Sequence, residues 1–544
     1  MLVLKLWYLF YFASASCLQP FLPLIFRRAG LDPQHVGTIA ALRPWVGLPC
    51  GAVLSGIADK YRIHSLILTA CFTLSVCVRL SVSVASTFPT ILTVILIADA
   101  VNSPTNIIVD AAAIAACSPS SSFSPTNTNG EGEAYGRQRL YGAVGWGTFS
   151  FISGIAQTWF HGAAAAAFLL YGVLAIATLV PTLRIPWGPL HAKLEEEHLH
   201  SCAGLREDVR EGGQENSGMN VDGSGCSDGI ISNSSNPHKE IGLRGVVSNR
   251  SRETSPLRHA FNGIHTAGRG TLSPQKKKQP TPPPPQTTND LNNPPPLQQQ
   301  RIKNKNFCQK LGVLLSSPEA LLFFSTVTVM GYAVGTIESF LFLFLEDLGG
   351  SETLMGLTLT VTCVAETFVF YYASHIMHFL GLDGCLHLCF LAFLVRLGSY
   401  ATLAHWKQTP WTVLPVELLH GLTFGLTWSA GTAKSALISP AGLEATTQSV
   451  FQGFIFGLGY GMGGFMAGRK YNLNGPEAVF RSAFWVVAVG WVVTTGVGWW
   501  LRKYGWIDHR SSSSREQMYS EVEMSDGGGR RGGRIMIERD RGEG

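Results

Sequence analysis

Phe21-Leu-Pro-Leu-Ile-Phe-Arg-Arg-Ala-Gly30, followed by Gly37, and Phe340-Leu-Phe-Leu-Phe-Leu-Glu-Asp-Leu-Gly349, followed by Gly356, place their apolar runs and glycines at identical spacing. Two further matches keep nearly the same offset. Val78-Arg79-Leu80 reappears as Val395-Arg396-Leu397, and the lone acid Asp99 reappears as Glu417. Three coincidences at offsets of 317 to 319 residues make the chain a tandem repeat of two halves.

Each half holds six apolar stretches near or above the roughly 20 residues that a helix needs to cross a bilayer. In the first half they fall at 3–26, 36–58, 65–86, 90–113, 138–160 and 163–183. In the second they fall at 319–345, 353–377, 381–403, 409–431, 447–468 and 479–501. Composition agrees: 46% of the 544 residues are hydrophobic and only 14% charged, and the charges gather in one central stretch and the C-terminal tail. The expected fold is an all-α membrane protein, twelve transmembrane helices in two pseudo-symmetric six-helix bundles at 1–183 and 307–503. Residues 184–306, with Lys276-Lys-Lys278 and Pro282 to Pro285, and residues 504–544 have too little apolar area to fold and read as disordered linker and tail. Ala13-Ser-Ala15 resembles a signal-peptide cleavage site, but the apolar run continues to Phe26, long enough to span.

Lys60, Arg62, Arg137, Arg139, Arg184, Lys434, Arg502 and Lys503 share one side of the membrane with the linker, so both termini are expected to be cytoplasmic. Arg27, Arg28, Lys407, Arg469 and Lys470 fall opposite. The net charge of +5 comes without any basic-aromatic stripe, which argues against a nucleic-acid partner. The 11 cysteines show no metal spacing and no even framework, and no nucleophile elbow or phosphate loop appears. An enzyme, a cofactor and a metal site are not expected. The expected partners are the lipid bilayer, a small-molecule substrate and protons, with a monomer as the working unit.

Four stretches resemble the major facilitator superfamily, in particular its lactose permease-like and domain-containing protein 6-like groups. Lys5-Leu-Trp-Tyr through Pro20-Phe-Leu-Pro23 is similar to the first helix of that group, and Ser55-Gly-Ile-Ala-Asp59-Lys60 to its loop between helices two and three. That loop usually carries glycine where Ser55 and Arg62 stand. Tyr135-Gly-Arg137-Gln-Arg139-Leu-Tyr-Gly142-Ala-Val-Gly145-Trp146 is similar to a helix-five motif whose second arginine and tryptophan line a sugar site. Glu417-Leu-Leu-His420-Gly-Leu-Thr-Phe-Gly-Leu-Thr-Trp428 resembles helix ten of the domain-6-like proteins, with the acid ahead of the histidine rather than behind it as in the lactose-type carriers. Ile107 stands where those carriers hold a sugar-binding glutamate, and the acid here is Asp110. The resemblance implies alternating access by two rocking halves, without galactoside specificity.

Charges inside the membrane are costly and seek partners. At 1.5 Å per residue, Arg79 and Asp99 differ by about 6 Å in depth, and Arg396 and Glu417 by about 4 Å. Each half is therefore expected to hold one Arg-carboxylate pair, either a clamp between helices or a part of transport. Glu417 and His420, three apart on one helical face, are proton-coupling candidates, with His420 bonded to nearby backbone as the alternative. Arg139, Trp146, Asp110 and Glu366 are substrate-binding candidates, with Arg139 and Trp146 facing Glu366 across the midplane to hold a ring-bearing polar solute such as a sugar or nucleoside. Trp146 as an interfacial anchor stays open. Arg43 and Glu338 lie at one depth and are candidates for an outer gate, with Asp59 and Lys60 on the loop motif; snorkelling is the alternative for the former two. Two functional classes remain: a proton-coupled secondary transporter, or a receptor or scaffold that keeps the fold without transport.

Overall fold

The structure, a computed structural model, describes residues 1–117, 128–161, 164–192, 194–195, 307–406, 409–440 and 443–506. Most of the expected linker and the tail from residue 507 lie outside the described residues. The N-terminal half comprises α1 (Leu2–Arg28), α2 (Pro33–Tyr61), α3 (His64–Val84), α4 (Phe88–Cys117), α5 (Thr128–Trp159) and α6 (Ala164–Thr182). The C-terminal half comprises α7 (Pro318–Asp347), α8 (352–380), α9 (382–406), α10 (410–438), α11 (444–474) and α12 (476–503). Gly381 and Gly475, with φ of 70° and 78°, separate α8 from α9 and α11 from α12.

Eight stretches of the described chain are long and apolar enough to cross a membrane by length and composition, and two of them bend at these glycines into two helices each. The two helices outside that set are the polar ones. Helix α5 carries Arg137, Gln138 and Arg139, and α10 carries Glu417 and His420 and relaxes into a π-helical turn at Gly421–Leu426. A second π turn, Gly453–Gly459, opens α11. Wide turns of this kind recur beside functional sites.

Helix starts follow local chemistry. Asp32 caps α2 by accepting the His35 N–H at 2.9 Å, and Pro33 and Pro318 sit in first turns where no amide hydrogen is needed. Helix α2 ends at Arg62, whose φ of 56° is a left-handed conformation that glycine adopts without strain. The glycine usual at this place in the family loop thus has a conformational cause.

The internal repeat governs how the halves meet. Between apolar helices in lipid, small residues allow backbones to approach. A Cβ on Gly37 would stand 2.4 Å from the Gly464 carbonyl oxygen of α11, and one on Gly356 would stand 2.4 Å from the Ser150 carbonyl oxygen of α5. The two repeat glycines thus make equivalent contacts, α2 against α11 and α8 against α5. Phe21 of α1 and Phe342 of α7 bring their rings to 5.3 Å between them.

These contacts belong to the outer side, the one opposite the amino terminus. They continue inward to Leu48 beside Gly457 and Cys363 beside Gly147. Farther toward the inner side, Val53, Ile57, Tyr141, Val144, Phe368 and Tyr371 are exposed, and a Cβ on Gly453 would meet nothing within 4 Å. Packing concentrated on the outer side is the arrangement of two halves parted toward the inner face.

Residues 185–192, counted with the linker by composition, are folded structure. Ile185 and Leu190 are buried against the inner end of the N-terminal half, and Trp187 stacks on His64 with ring centroids 5.8 Å apart.

Candidate functional site

Helix α4 presents Asp99, Asn102, Asn106 and Asp110 at steps of three and four, one polar stripe along a helical face. Arg79 of α3 donates through Nη2 to Asp99 Oδ1 at 2.6 Å, as the depths predict. Arg43 of α2 donates through Nε to Asp99 Oδ2 at 2.5 Å. Asp99 therefore sits between two arginines. Asn102 donates to Tyr11 Oη at 3.0 Å and accepts from Ser75 at 3.3 Å. Lower on the stripe, Tyr8 and Arg139 donate to the two oxygens of Asp110 at 2.5 and 2.8 Å.

In the C-terminal half, Arg396 of α9 is the hub. It donates to Glu417 at 2.9 Å, Tyr400 at 3.1 Å, Thr423 at 2.7 Å and His420 Nδ1 at 3.1 Å. Tyr400 in turn donates its hydroxyl to the second oxygen of Glu417. Arginine only donates, so Nδ1 of His420 accepts and the ring proton sits on Nε2. Nε2 lies 2.7 Å from Glu366 Oε1 on α8. The Glu417 side chain is only 2% exposed, against 21% for Glu366.

Three expectations change with this geometry. Arg43 and Glu338 do not pair: residue counting fixes depth but not direction around the helix, and Asp99 offers Arg43 a closer acid. Glu338 makes no hydrogen bond or ion pair among the described residues and is exposed. Glu417 and His420 do not bond each other, because both turn to Arg396 and His420 finds its acid on α8. Arg139 does not face Glu366; it is held on its own half by Asp110, while Trp146 lies against Phe12 with ring centroids 6.3 Å apart. Trp146 nonetheless adjoins the half-to-half contact, since Thr360 of α8 donates to the Gly147 carbonyl at 2.6 Å.

The loop candidates resolve differently. Asp59 bonds His64 Nε2 at 2.8 Å, His64 Nδ1 lies 3.2 Å from His191 Nε2, and Lys60 lies over the Tyr61 ring. Burial together with the neighbouring His64 and Arg62 holds His191 below the usual histidine range. On the C-terminal half, the inner ends of α7, α9, α10 and α12 are tied by Lys434 to Asp383 at 3.2 Å and Glu319 at 3.6 Å, and by Arg502 to Asp383 at 2.5 Å.

The outer seal lies where the sequence reading placed only two stray arginines. Arg27 bonds Asp347 at 2.5 Å, and Arg28 bonds Glu346 at 3.0 Å and Glu352 at 2.6 Å. Thr158 of α5 also donates to Glu352, at 3.1 Å, and Tyr471 of α11 donates to Asp347. Arg27-Arg28 and Glu346-Asp347 occupy the same place in the two repeats. Opposite charge at equivalent positions makes the two ends attract across the pseudo-symmetry axis, a signal present in the repeat sequence itself.

Comparison with known proteins agrees with this architecture. Over 227 residues the chain is 26% identical to Major facilitator superfamily domain-containing protein 6-like of Danio rerio, covering 40% of this chain and 41% of that protein. Over 159 residues it is 26% identical to the Homo sapiens protein of the same description, covering 29% and 26%. The matched stretches thus span well under half the length of these curated relatives. Among solved structures, a mutant of the nucleoside transporter NupG superposes with a TM-score of 0.61 at 14% identity, covering 91% of this chain and 99% of that one. A POT family transporter in complex with a thioalcohol-conjugated peptide superposes with a TM-score of 0.53 at 11% identity, covering 91% and 96%. Likeness at such identities establishes a shared fold. The model of the MFS_1 like family matches residues 1–482, so this multi-pass membrane chain belongs to that family.

Proposed function

We infer that the protein is a secondary transporter of a small polar solute, coupled to protons, with its inner face in the cytoplasm. The single observation that carries this reading is the chain of contacts from Arg396 through His420 to Glu366, which runs from a sealed ion pair to a half-open carboxylate. A residue that takes up and gives back protons must be reachable from water, and buried acids in membrane segments act at such paths. Glu366 meets that requirement. Glu417, bonded to Arg396 and Tyr400 and closed off, serves instead as the anchor that fixes Arg396 and hence the His420 tautomer.

The cycle follows from the interface. With the outer seal closed, solute and proton reach Glu366, His420 and Trp146 from the inner side; rocking of one half on the other then opens the outer side. Trp146 beside the half-to-half contact offers a flat face against which a small solute can pack.

The test is dye-reported proton uptake in proteoliposomes holding the full chain, exposed to nucleosides, sugars and amino acids. The reading expects solute-triggered proton uptake in wild type, and solute exchange without proton uptake in Glu366→Gln. Proton uptake unchanged in Glu366→Gln would remove that residue from the coupling role.

A further inference from the structure

The two halves present opposite free charge to the space between them. On the N-terminal side, two arginines share one acid, leaving an excess of one positive charge. Arg43 uses its Nε and Nη2 on Asp99, while its Nη1 has no partner among the described residues and its side chain is 29% exposed. On the C-terminal side, Arg396 is fully engaged by Glu417, Tyr400, Thr423 and His420, so it neutralises nothing further. Among the described residues, Glu366 is bonded only to His420 and Glu338 has no partner. Arg43 and Glu338 belong to different halves whose helices meet at Gly464 of α11: a Cβ there would stand 3.1 Å from Ala40 of α2 and 3.3 Å from Ser339 of α7, so the segments carrying the two side chains adjoin.

Occlusion sets the requirement. When both sides of such a site are closed, every charge facing it loses water and must find a counter-charge or a proton. An uncharged sugar or nucleoside would bring no counter-charge to the unused donor edge of Arg43, to Glu338 or to Glu366. A solute carrying one anionic and one cationic group removes two of the three charges, and a single proton removes the third.

We propose that the site takes a small zwitterion of the amino-carboxylate type, its carboxylate on the free edge of Arg43 and its ammonium on Glu338, while Glu366 takes up one proton. This rests on the transporter reading above and adds the substrate class and a stoichiometry of one proton per solute. The proton goes onto a carboxylate oxygen of Glu366, and no other bond changes.

The test uses full-length protein and a defined probe set: α-, β- and γ-amino acids and betaine, their amides, their N-acetyl derivatives, and uncharged uridine and galactose. Ligand-induced thermal stabilisation in detergent and counterflow in proteoliposomes are read together. At least one zwitterion is expected to stabilise and exchange, and blocking either of its charged ends lowers affinity about 10- to 100-fold, the worth of one charged hydrogen bond. Arg43→Gln and Glu338→Gln each produce a loss of the same order. Arg43→Gln leaves the Arg79–Asp99 pair intact, so folding persists. Binding and exchange of uridine or galactose, unaffected by either substitution, would overturn the zwitterion assignment and leave the transporter reading standing. Silence of every probe in both assays, from protein that still unfolds cooperatively, would remove both.

Discussion

The two buried charge clusters occupy equivalent places in the repeat and are wired differently. In the C-terminal half, Arg396 Nη1 bonds Thr423 Oγ1 at 2.7 Å. The equivalent atoms of the N-terminal half, Arg79 Nη1 and Thr105 Oγ1, are both buried with no partner among the described residues. The difference traces to the third residue in each cluster. Arg43 draws Asp99 toward α2 and leaves one edge of Arg79 empty, whereas Tyr400 and His420 fill the remaining positions around Arg396. One scaffold thus holds a saturated cluster on one side and an arginine-rich one with unused donors on the other. The saturated side is suited to anchoring a proton site, and the unsaturated side to binding.

The largest effect is expected from removing the shared acid of the arginine-rich cluster. Asp99→Asn leaves the buried Arg79 and the partly buried Arg43 without a carboxylate and costs at least as much as a broken buried pair, about 3–5 kcal/mol, enough to abolish monodisperse folded protein in detergent chromatography. Glu417→Gln strands one arginine that keeps Tyr400, Thr423 and His420, and is expected to cost less, with folded protein recovered at a lower unfolding temperature. Equal losses would mean that the extra arginine makes no difference and would break the comparison.

Next come the glycines at the half-to-half contact. Gly37→Ala places a Cβ 2.4 Å from the Gly464 carbonyl oxygen, so the outer side cannot close as observed. Labelling of an outer-side cysteine probe should rise severalfold while the unfolding temperature changes little. Arg28→Glu is expected to act in the same direction and more weakly, because its partners are partly exposed and such pairs are worth about 0–1 kcal/mol each. Exchanging the signs of Arg27-Arg28 and Glu346-Asp347 together should restore closure.

The smallest effect belongs to the inner latch of His64 and His191. With the His191 proton affinity lowered in the folded chain, its contribution is present above the ordinary histidine range and is lost as pH falls through the depressed value. Hydrogen exchange of residues 188–192 should therefore quicken at acid pH, and His191→Gln should flatten that dependence.

The fold is legible in the sequence because apolar spans and a repeat are properties of hydrophobic length and spacing. Both Arg-carboxylate pairs are legible for a related reason: a charge in lipid must find a partner, and depth follows from residue count. What depth cannot supply is direction around a helix. Residue counting therefore makes Arg43 and Glu338 a gate, and Glu417 and His420 a proton pair, although Asp99 and Arg396 stand between them. Tyr8, Tyr11 and Tyr400 escape a sequence reading because a tyrosine in an apolar run packs like other aromatics and its position does not say which acceptor its hydroxyl finds, although the α4 stripe of Asp99, Asn102, Asn106 and Asp110 marks the face that Tyr8 and Tyr11 bond. The outer seal emerges only when charge signs are compared at equivalent repeat positions.

The central claim is that the two halves rock, so that one side opens as the other closes. Spin labels introduced as non-natural residues at Gln34 and Asn472 on the outer rim, and at Ile57 and Ser449 on the inner rim, allow both distances to be read by double electron–electron resonance. The account predicts a short outer and long inner distance in wild type, with the outer lengthening and the inner shortening together in Arg28→Glu. An outer distance that lengthens while the inner stays unchanged would contradict rocking and leave a rigid scaffold with a loosened rim.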